Sequence, residues 1–280
     1  MTLKAQGSIN RTARLAGGLY LALIPLGFFS FAYVPALIQV RGDAAATCSN
    51  LLAHEALFRA GTVSHLISQI IVVFLVLALY RLLRPVNKHG ATLMAVLALI
   101  CVPISCLTEV YNNAALQVLG NASDGAFTPA QLQAQVMLLL GMNRTGIMIA
   151  QVFWGLWMLP LSFLVFRSGF LPRWLAAPIL IAAAGYLFDS ATHLLYPGQP
   201  TISQYTAVAE LLLPVWLLSK GVVVDRWEGV AEVSGQVGNY LFMLFQFNYI
   251  RYFYSLTWPH VLSPFGFLGT SLAPQRAIGA

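Results

Sequence analysis

The sequence predicts an all-α integral membrane protein, a polytopic bundle of six transmembrane helices. Of its 280 residues, 59% are hydrophobic and 9% are charged, whereas soluble domains carry about 25% charged residues. A chain so poor in charge cannot cover a water-exposed surface, which excludes a soluble enzyme, a disordered protein and a fibrous protein. A helix needs about 20 apolar residues to cross a hydrocarbon core of ~30 Å. Six segments qualify, at about residues 15–40, 62–83, 91–119, 145–166, 174–196 and 202–219.

The first segment, residues 15–40, is 26 residues long. This length is too great for the core of a signal peptide and sufficient to span a bilayer. Pro25 and Pro35 interrupt the segment. Because proline lacks an N–H and clashes with the preceding turn, we expect a kink or an irregular outer end.

The loop after the first segment has the signals of a surface helix at about residues 43–59. Asp43 is a favourable N-cap residue. Glu55 and Arg59 have the spacing and order of a stabilising i,i+4 ion pair. We therefore expect an amphipathic helix on the outer surface of the membrane.

A second helix start follows the third segment. Thr128 and Gln131 have the spacing of a capping box, with Pro129 at the first helical position. A single helix from there to the end of the fourth segment would contain 39 residues and measure ~58 Å. We therefore expect a break near Gly141 and Arg144, between an outer surface helix and the fourth span.

Lysine and arginine residues indicate the orientation, because they are enriched in cytoplasmic loops. Ten lie on the side of the N-terminus and three on the opposite side. This asymmetry predicts a cytoplasmic N-terminus, residues 1–14, and an even number of spans. The ten are Lys4, Arg11, Arg14, Arg81, Arg84, Lys88, Arg167, Arg173, Lys220 and Arg226, and the three are Arg41, Arg59 and Arg144.

The net charge of +6 does not indicate nucleic-acid binding, because the 15 basic residues lie at the ends of apolar runs rather than in one patch. The expected surroundings are membrane lipids. The three cysteines give no disulfide framework.

The C-terminal residues 229–280 differ from the bundle at 15–228. Residues 240–258 include nine aromatic residues and one charged residue, Arg251. Aromatic residues are enriched at membrane interfaces, which favours an interfacial segment. A seventh span and a sequence artefact, such as a shifted reading frame, are the alternatives.

Polar side chains inside the predicted spans are the candidates for a site. An ionisable group costs roughly 2.5–3.5 kcal/mol to insert and therefore faces a partner or a cavity. His65, Gln151 and Asp189 each lie 16 residues from the basic residue at the cytoplasmic end of their span. This spacing places each side chain ~24 Å above the cytoplasmic end of its helix. We expect an outward-facing polar cavity that binds a small molecule and is lined by His65, Gln69, Glu109, Asn112, Asn113, Arg144, Gln151, Asp189, His193 and Glu210.

Some of these residues have expected partners. Asp189 and His193 are four residues apart, so they share a helix face and can share a proton or an ion pair. Arg144 enters the fourth span from outside, and we expect it within salt-bridge reach of Glu109 or Asp189. Glu210 lies near the midplane, ~15 Å from the basic end of its span, and we expect it to face the bundle interior.

Structural roles are the alternative for each residue. Asp189 with a partner would fix helix packing, His193 would be an interfacial histidine, and Glu210 would be a hydrogen-bonded neutral acid. GxSxG, HExxH, phosphate-loop and CxxC motifs are absent from the sequence, and no cofactor is expected. His65, Asp189 and His193 form a thin ligand set for a metal ion, as in zinc-dependent intramembrane hydrolases.

Five stretches together resemble one bacterial family, catalogued as domain of unknown function 4386. They are RTARLAGGLYLALIPLG at 11–27, RGDAAATCSNLLAHEALFRAG at 41–61, RPVN at 84–87, RSGFLPRWLAAPILIAAAGYLFDSATHLLYP at 167–197 and WLLSKGVVVDRW at 216–227. The resemblance covers about residues 11–228. It implies a multi-pass protein of the bacterial inner membrane and brings no catalytic residues.

The leading functional hypothesis is a protein that binds or transports a small polar or amphipathic molecule, such as a lipid head group or a proton-coupled solute. An intramembrane metal-dependent hydrolase and a non-catalytic membrane accessory subunit are the alternatives.

Overall fold

The computed structural model describes residues 3–121, 127–196 and 200–234, and all regular structure in these ranges is helical. Residues 1–231 form one compact unit and 232–280 a second, of which 232–234 are described as the end of a helix. The aromatic segment 240–258 lies outside the described residues. The helices are α1 (Leu3–Phe28), α2 (Val34–Ile38), α3 (Ala44–Ala53), α4 (Glu55–Leu83), α5 (Lys88–Gly120), α6 (Pro129–Arg167), α7 (Ala176–Leu195), α8 (Ser203–Thr206), α9 (Leu212–Ser219) and α10 (Val224–Ser234).

The predicted all-α membrane bundle is confirmed. In the described ranges, five helical segments are long and apolar enough to cross a membrane: Ser8–Ile38, α4, α5, α6 and Arg173–Leu195. A sixth is broken. It consists of Ser203–Ser219, followed after a bend of 98° by α10.

The outer end of the first span is irregular, as its prolines predict. Five residues, Phe29–Tyr33, form a π-helical turn between α1 and α2. The Val34 N–H bonds to the Phe29 carbonyl, five residues back, and the next residue, Pro35, has no N–H to offer. The π-helical turn therefore lies next to the position where proline removes a backbone N–H donor.

The expected outer helix at 43–59 is shorter in the structure. Asp43 caps α3 by accepting a hydrogen bond from the Ala46 N–H over 2.8 Å, and α3 ends at Ala53 because the His54 backbone leaves the helical region, with φ −118° and ψ 32°. The exposed pair of Glu55 and Arg59, 2.7 Å apart, lies in the first turn of α4. The second span helix therefore starts outside the hydrocarbon.

The break expected near Gly141 and Arg144 is wrong, because α6 is continuous over 39 residues. The predicted capping box is present, with Thr128 and Gln131 bonded reciprocally. Val136 and Leu140 are buried in an apolar cluster, and this burial stabilises the first turns of α6. At ~58 Å, α6 is longer than a bilayer core is thick.

The spans form a closed ring. Helix α1 packs on α4, α4 on α5, α5 on α6, and α6 on α7. The sixth span contacts α7 through the 3₁₀ segment Ala207–Leu211 and returns to α1 through α9. Side chains that meet across the ring therefore lie at the centre of the bundle.

The bundle has two hydrophobic cores. The inner core joins the spans at the end where α1 begins and buries side chains such as Leu79, Leu82, Met94, Leu161 and Leu217. The outer core consists of Val34, Ile38, Cys48, Leu51, Phe58, Ala115, Leu116, Leu119, Val136 and Leu140. Along α4, α5 and α6, which contribute to both cores, the intervening buried side chains are largely polar. We call this band, with the adjoining part of α7, the polar layer: Thr62, Ser64, His65, Ser68, Gln69, Ser105, Thr108, Glu109, Gln151, Asp189 and Ser190.

Hydrogen bonds close the ring at the end where α1 begins. The Val222 N–H donates to Asn10 Oδ1 over 3.0 Å, joining the end of the sixth span to the first. Trp227 Nε1 donates to the Leu82 carbonyl over 2.9 Å, which ties α10 to the end of α4. The loops that the sequence assigns to one side of the membrane therefore meet at one face.

Gly17 provides a test of the contact between α1 and α9. A Cβ at Gly17 would lie 2.7 Å from the Leu218 nitrogen and 2.8 Å from the Pro214 carbonyl oxygen, both backbone atoms, whereas one at Gly18 would meet nothing within 4 Å. Overpacking costs about 1–3 kcal/mol. We expect Gly17→Ala to lower the unfolding temperature in detergent.

The neighbouring variant is the control for this test. Helical glycine is less stable than alanine by roughly 0.5–1 kcal/mol, so Gly18→Ala should keep or raise the unfolding temperature. Equal unfolding temperatures for the two variants would contradict the close approach of α1 and α9.

Candidate functional site

A buried pair of ionisable side chains connects the second and third spans. His65 Nδ1 and Glu109 Oε1 share a hydrogen bond over 2.5 Å, and the two residues are only 2% and 4% exposed. When the carboxylate is ionised it only accepts, and the imidazole proton of this hydrogen bond then lies on Nδ1. His65 Nε2 is then an acceptor in the neutral ring and a donor in the imidazolium.

Two asparagines complete the surroundings of Glu109. Asn112 Nδ2 donates to the second carboxyl oxygen over 2.8 Å, and Asn113 Nδ2 donates to the Glu109 backbone carbonyl over 3.1 Å. The structure therefore brings together four of the predicted site residues, His65, Glu109, Asn112 and Asn113.

Three buried polar atoms near this pair have no hydrogen-bond partner among the described residues: His65 Nε2, Gln69 Oε1 and Ser105 Oγ. Gln69 follows His65 by one turn on α4, and Ser105 precedes Glu109 by one turn on α5. Because α4 and α5 run in opposite directions, Gln69 and Ser105 both lie on the side of the pair that faces the inner core. Buried polar atoms without partners are rare in proteins and call for an explanation, such as a functional role or an ordered water.

Glu210 lies at the inner edge of the polar layer and faces the bundle interior, as predicted. Its Oε2 accepts a hydrogen bond from the Tyr20 hydroxyl over 3.1 Å, and Tyr186 lies beside the same carboxyl group. Its Oε1 is buried without a partner among the described residues. Pro214 cannot donate to the Glu210 carbonyl four residues back, and the chain forms a 3₁₀ segment at Ala207–Leu211.

Aromatic rings cross the centre of the helix ring between the two carboxyl groups. Phe31 meets His65 edge-on at 4.8 Å between ring centroids, and Trp154 meets Phe31 at 5.8 Å. Tyr186 follows at 6.1 Å from Trp154 and lies beside Glu210. A continuous series of rings thus joins the His65–Glu109 pair to Glu210.

Asp189 has a structural role. Its two carboxylate oxygens accept hydrogen bonds from the backbone N–H groups of Ile202 and Ser203, each over 2.8 Å. The carboxylate therefore fixes the start of the sixth span on α7. The pairing expected between Asp189 and His193 is wrong, because Asp189 is occupied by these backbone donors and His193 makes no hydrogen bond to it among the described residues.

Two more predicted residues lie apart from the pair. Arg144 is exposed and forms no salt bridge with Glu109 or Asp189 in the part of the chain that the structure describes, so the predicted ion pair is wrong. His65 takes the place that Arg144 was expected to fill beside Glu109. Gln151 is 4% exposed, one turn before Gly155, where α6 approaches the Ala183 carbonyl of α7.

The side chains proposed as metal ligands do not converge. Within the described ranges, no three His, Cys, Asp or Glu side chains lie close enough to hold a metal ion. Asp189 is bonded to backbone N–H groups and His65 to Glu109. The metal-dependent hydrolase alternative therefore has no ligand set in these residues.

Sequence reasoning missed the aromatic rings and Ser105. Because 12% of the chain is aromatic, an aromatic residue in a span carries little signal by its presence alone. A tyrosine in the middle of a predicted span needs a partner for its hydroxyl, and this requirement is the signal that could have identified Tyr20.

Glu109 also reaches the outer surface of the bundle. A groove of about 310 Å³ is lined by Leu66, Cys106, Glu109, Val110, Asn113, Ala114 and Gln117. At the other side of the pair, Phe31 is 39% exposed. The polar layer is therefore bordered by partly exposed side chains at its outer end.

These features define a multi-pass helical membrane protein with a buried polar layer between two hydrophobic cores. The chain belongs to the family described as domain of unknown function DUF4386, whose model matches residues 15–221. This match confirms the resemblance found in the sequence. An uncharacterized protein of Archaeoglobus fulgidus is 31% identical over 145 residues, which are 51% of this chain and 73% of that protein. No solved structure shows a significant match to the chain.

A double-mutant cycle tests the pair of His65 and Glu109. Removing one partner of a buried ion pair costs about 3–5 kcal/mol. We therefore expect His65→Leu and Glu109→Met each to lower the free energy of unfolding by this amount, measured by SDS titration in mixed micelles. The double variant should lose much less than the sum, because neither ionisable group of the pair is left buried without the other.

The exposed pair of Glu55 and Arg59 on the same helix as His65 serves as the control. Exposed ion pairs contribute about 0–1 kcal/mol, so Arg59→Ala should change stability little. Additive effects in the His65 and Glu109 cycle would show that the two side chains do not interact.

Proposed function

We propose that this protein binds a small polar or amphipathic molecule in the polar layer, with access from the outer side, and transports it across the membrane. The observation that carries the proposal is the set of unpartnered polar atoms on His65, Gln69 and Ser105. Each side chain is 3% exposed or less. A buried polar group without a partner costs about 1–3 kcal/mol, and a polar ligand at this level would satisfy all three.

The position of the polar layer supports access from outside. The inner core and the hydrogen bonds at the cytoplasmic face separate the layer from the inner side. At the outer end, Phe31 is partly exposed and Glu109 lines a groove. An amphipathic molecule could place its polar part against Glu109 and keep its apolar part along the groove.

We further propose that the protein lies in the bacterial inner membrane with its N-terminus in the cytoplasm. The ten basic residues counted on one side and three on the other support this orientation. The alternation of the spans along the chain keeps the ten residues on the same side.

Substitutions of two buried serines distinguish a role in ligand binding from a role in stability. Ser105 Oγ has no partner among the described residues, whereas Ser162 Oγ donates to the Ala176 carbonyl over 2.9 Å in the inner core. We expect Ser105→Ala to keep or raise the unfolding temperature of the ligand-free protein and to weaken ligand binding. Ser162→Ala should lower stability by about 1 kcal/mol and leave binding unchanged.

The measurement is a thermal-shift screen of the purified protein in maltoside detergent against small polar and amphipathic compounds. A ligand at a hundred times its Kd stabilises a protein by about 2.7 kcal/mol. Compounds that stabilise the wild type are then tested on both serine variants and for uptake into proteoliposomes. If no compound stabilises the wild type, or if the two serine variants bind alike, the proposed site is wrong.

Cysteine labelling tests the orientation in a background without Cys48, Cys101 and Cys106. Gly120→Cys and Tyr196→Cys lie at exposed positions on the proposed outer side. They should react with an impermeant thiol reagent in intact cells. Lys88→Cys, also exposed, should react only after permeabilisation. Reaction at residue 88 in intact cells would contradict a cytoplasmic N-terminus.

A further inference from the structure

The structure assigns the ligand to one chemical class: an organic cation, either a protonated amine or a quaternary ammonium compound. This inference rests on the proposed function and specifies its ligand. It follows from three properties of the centre of the ring, namely its carboxyl groups, its aromatic rings and its unpartnered acceptor atoms.

The charges at the centre favour a cation. Glu109 and Glu210 enter the ring from different helices. Glu109 has His65 beside it, but the hydrogen-bonded partner of Glu210 is a hydroxyl, that of Tyr20. Among the described residues, no lysine or arginine forms a salt bridge with Glu210. An ionised carboxyl in low dielectric is costly without a compensating positive charge, and a cationic ligand bound beside Glu210 would offset this cost.

The aromatic rings provide the second property. Cations bind within about 6 Å of an aromatic ring centroid, best over tryptophan, and aromatic cages recognise quaternary ammonium groups. Phe31, Trp154 and Tyr186 follow one another at 5.8 Å and 6.1 Å between centroids. A second contact, between Tyr20 and Trp157 at 6.3 Å, lies next to Glu210. Rings from three spans therefore surround the path between the two carboxyl groups.

The unpartnered atoms are the third property. Gln69 Oε1 accepts hydrogen bonds, Glu210 Oε1 accepts them when the carboxyl is ionised, Ser105 Oγ accepts and donates, and His65 Nε2 accepts in the neutral ring. A protonated amine donates through each of its N–H bonds and so complements these acceptors. A quaternary ammonium group has no N–H bond and would bind through its charge and the aromatic rings. An anion would face two carboxyl groups and the negative faces of the rings, which excludes it from this site.

The experiment uses choline and tetramethylammonium as cationic probes. The uncharged control is 3,3-dimethyl-1-butanol, which has the shape of choline with carbon in place of the charged nitrogen, and the anionic control is pivalate. Binding to the full-length protein in maltoside is measured by titration calorimetry. We expect at least one cation to bind at least tenfold more tightly than both controls.

Matched variants locate the cation. Trp154→Leu should weaken binding about tenfold or more, and Trp154→Phe should weaken it less, because the ring is kept. Glu210→Gln should also weaken binding about tenfold. Trp174, which pairs with Trp216 at 6.0 Å outside the site, provides the control Trp174→Leu, with unchanged affinity.

The outcomes separate the inference from the proposed function. Preferential cation binding that weakens in Trp154→Leu and not in Trp174→Leu supports both. Failure of both cations overturns the inference. The proposed function still stands if a neutral or anionic compound from the thermal-shift screen binds the wild type and is weakened by Ser105→Ala. If no compound binds in either experiment, both are wrong. Cation binding that is equal in wild type, Glu210→Gln and Trp154→Leu places the cation elsewhere and overturns the inference.

Discussion

His65 and Glu109 belong to different spans, and neither side chain can lie inside a membrane protein at low cost without the other. Each ionisable group costs roughly 2.5–3.5 kcal/mol to insert, and the 2.5 Å hydrogen bond between them offsets part of this cost. The same contact leaves Nε2 as the unpartnered atom of the imidazole and brings Phe31 against its ring. The carboxyl also holds Asn112. The positions of these side chains in the polar layer therefore depend on the contact between His65 and Glu109.

The pair is protected because hydrophobic cores lie on both sides of it. The long helices α5 and α6 continue beyond the thickness of a bilayer core, and their outer turns pack with α2 and α3 into the outer core. This core packs on the side of the polar layer where Phe31 and the groove at Glu109 are partly exposed, and the inner core packs on the opposite side. The two cores keep the dielectric low in the layer between them. In low dielectric, hydrogen bonds are stronger and buried polar groups without partners are more costly.

The fold could be predicted because its causes are local. Apolar length identified the spans, Asp43 and Thr128 identified helix starts, and Pro35 identified the irregular end of the first span. The site was predicted in part. Counting residues from the basic ends gave depth along each helix but not rotation about it. Depth alone therefore placed Asp189 at the level of His65. In the structure, the Asp189 carboxylate instead accepts hydrogen bonds from the backbone at the start of the sixth span. The break in α6 was wrong because outer-core packing is invisible in a local pattern.

The two ends of the polar layer differ in what a ligand would have to displace. At the outer end, a ligand meets Phe31 beside a π-helical turn, where the backbone hydrogen bonds already depart from the α-helical pattern. At the inner end, it meets well-packed side chains and the contact of Gly17 with the backbone of α9, where no space remains for a methyl group. Movement of a ligand past this end would therefore require α1 and α9 to separate. Glu210 lies four residues before Pro214, so its carbonyl has no α-helical N–H partner there, and movement of this segment would break fewer backbone hydrogen bonds than movement of a regular helix.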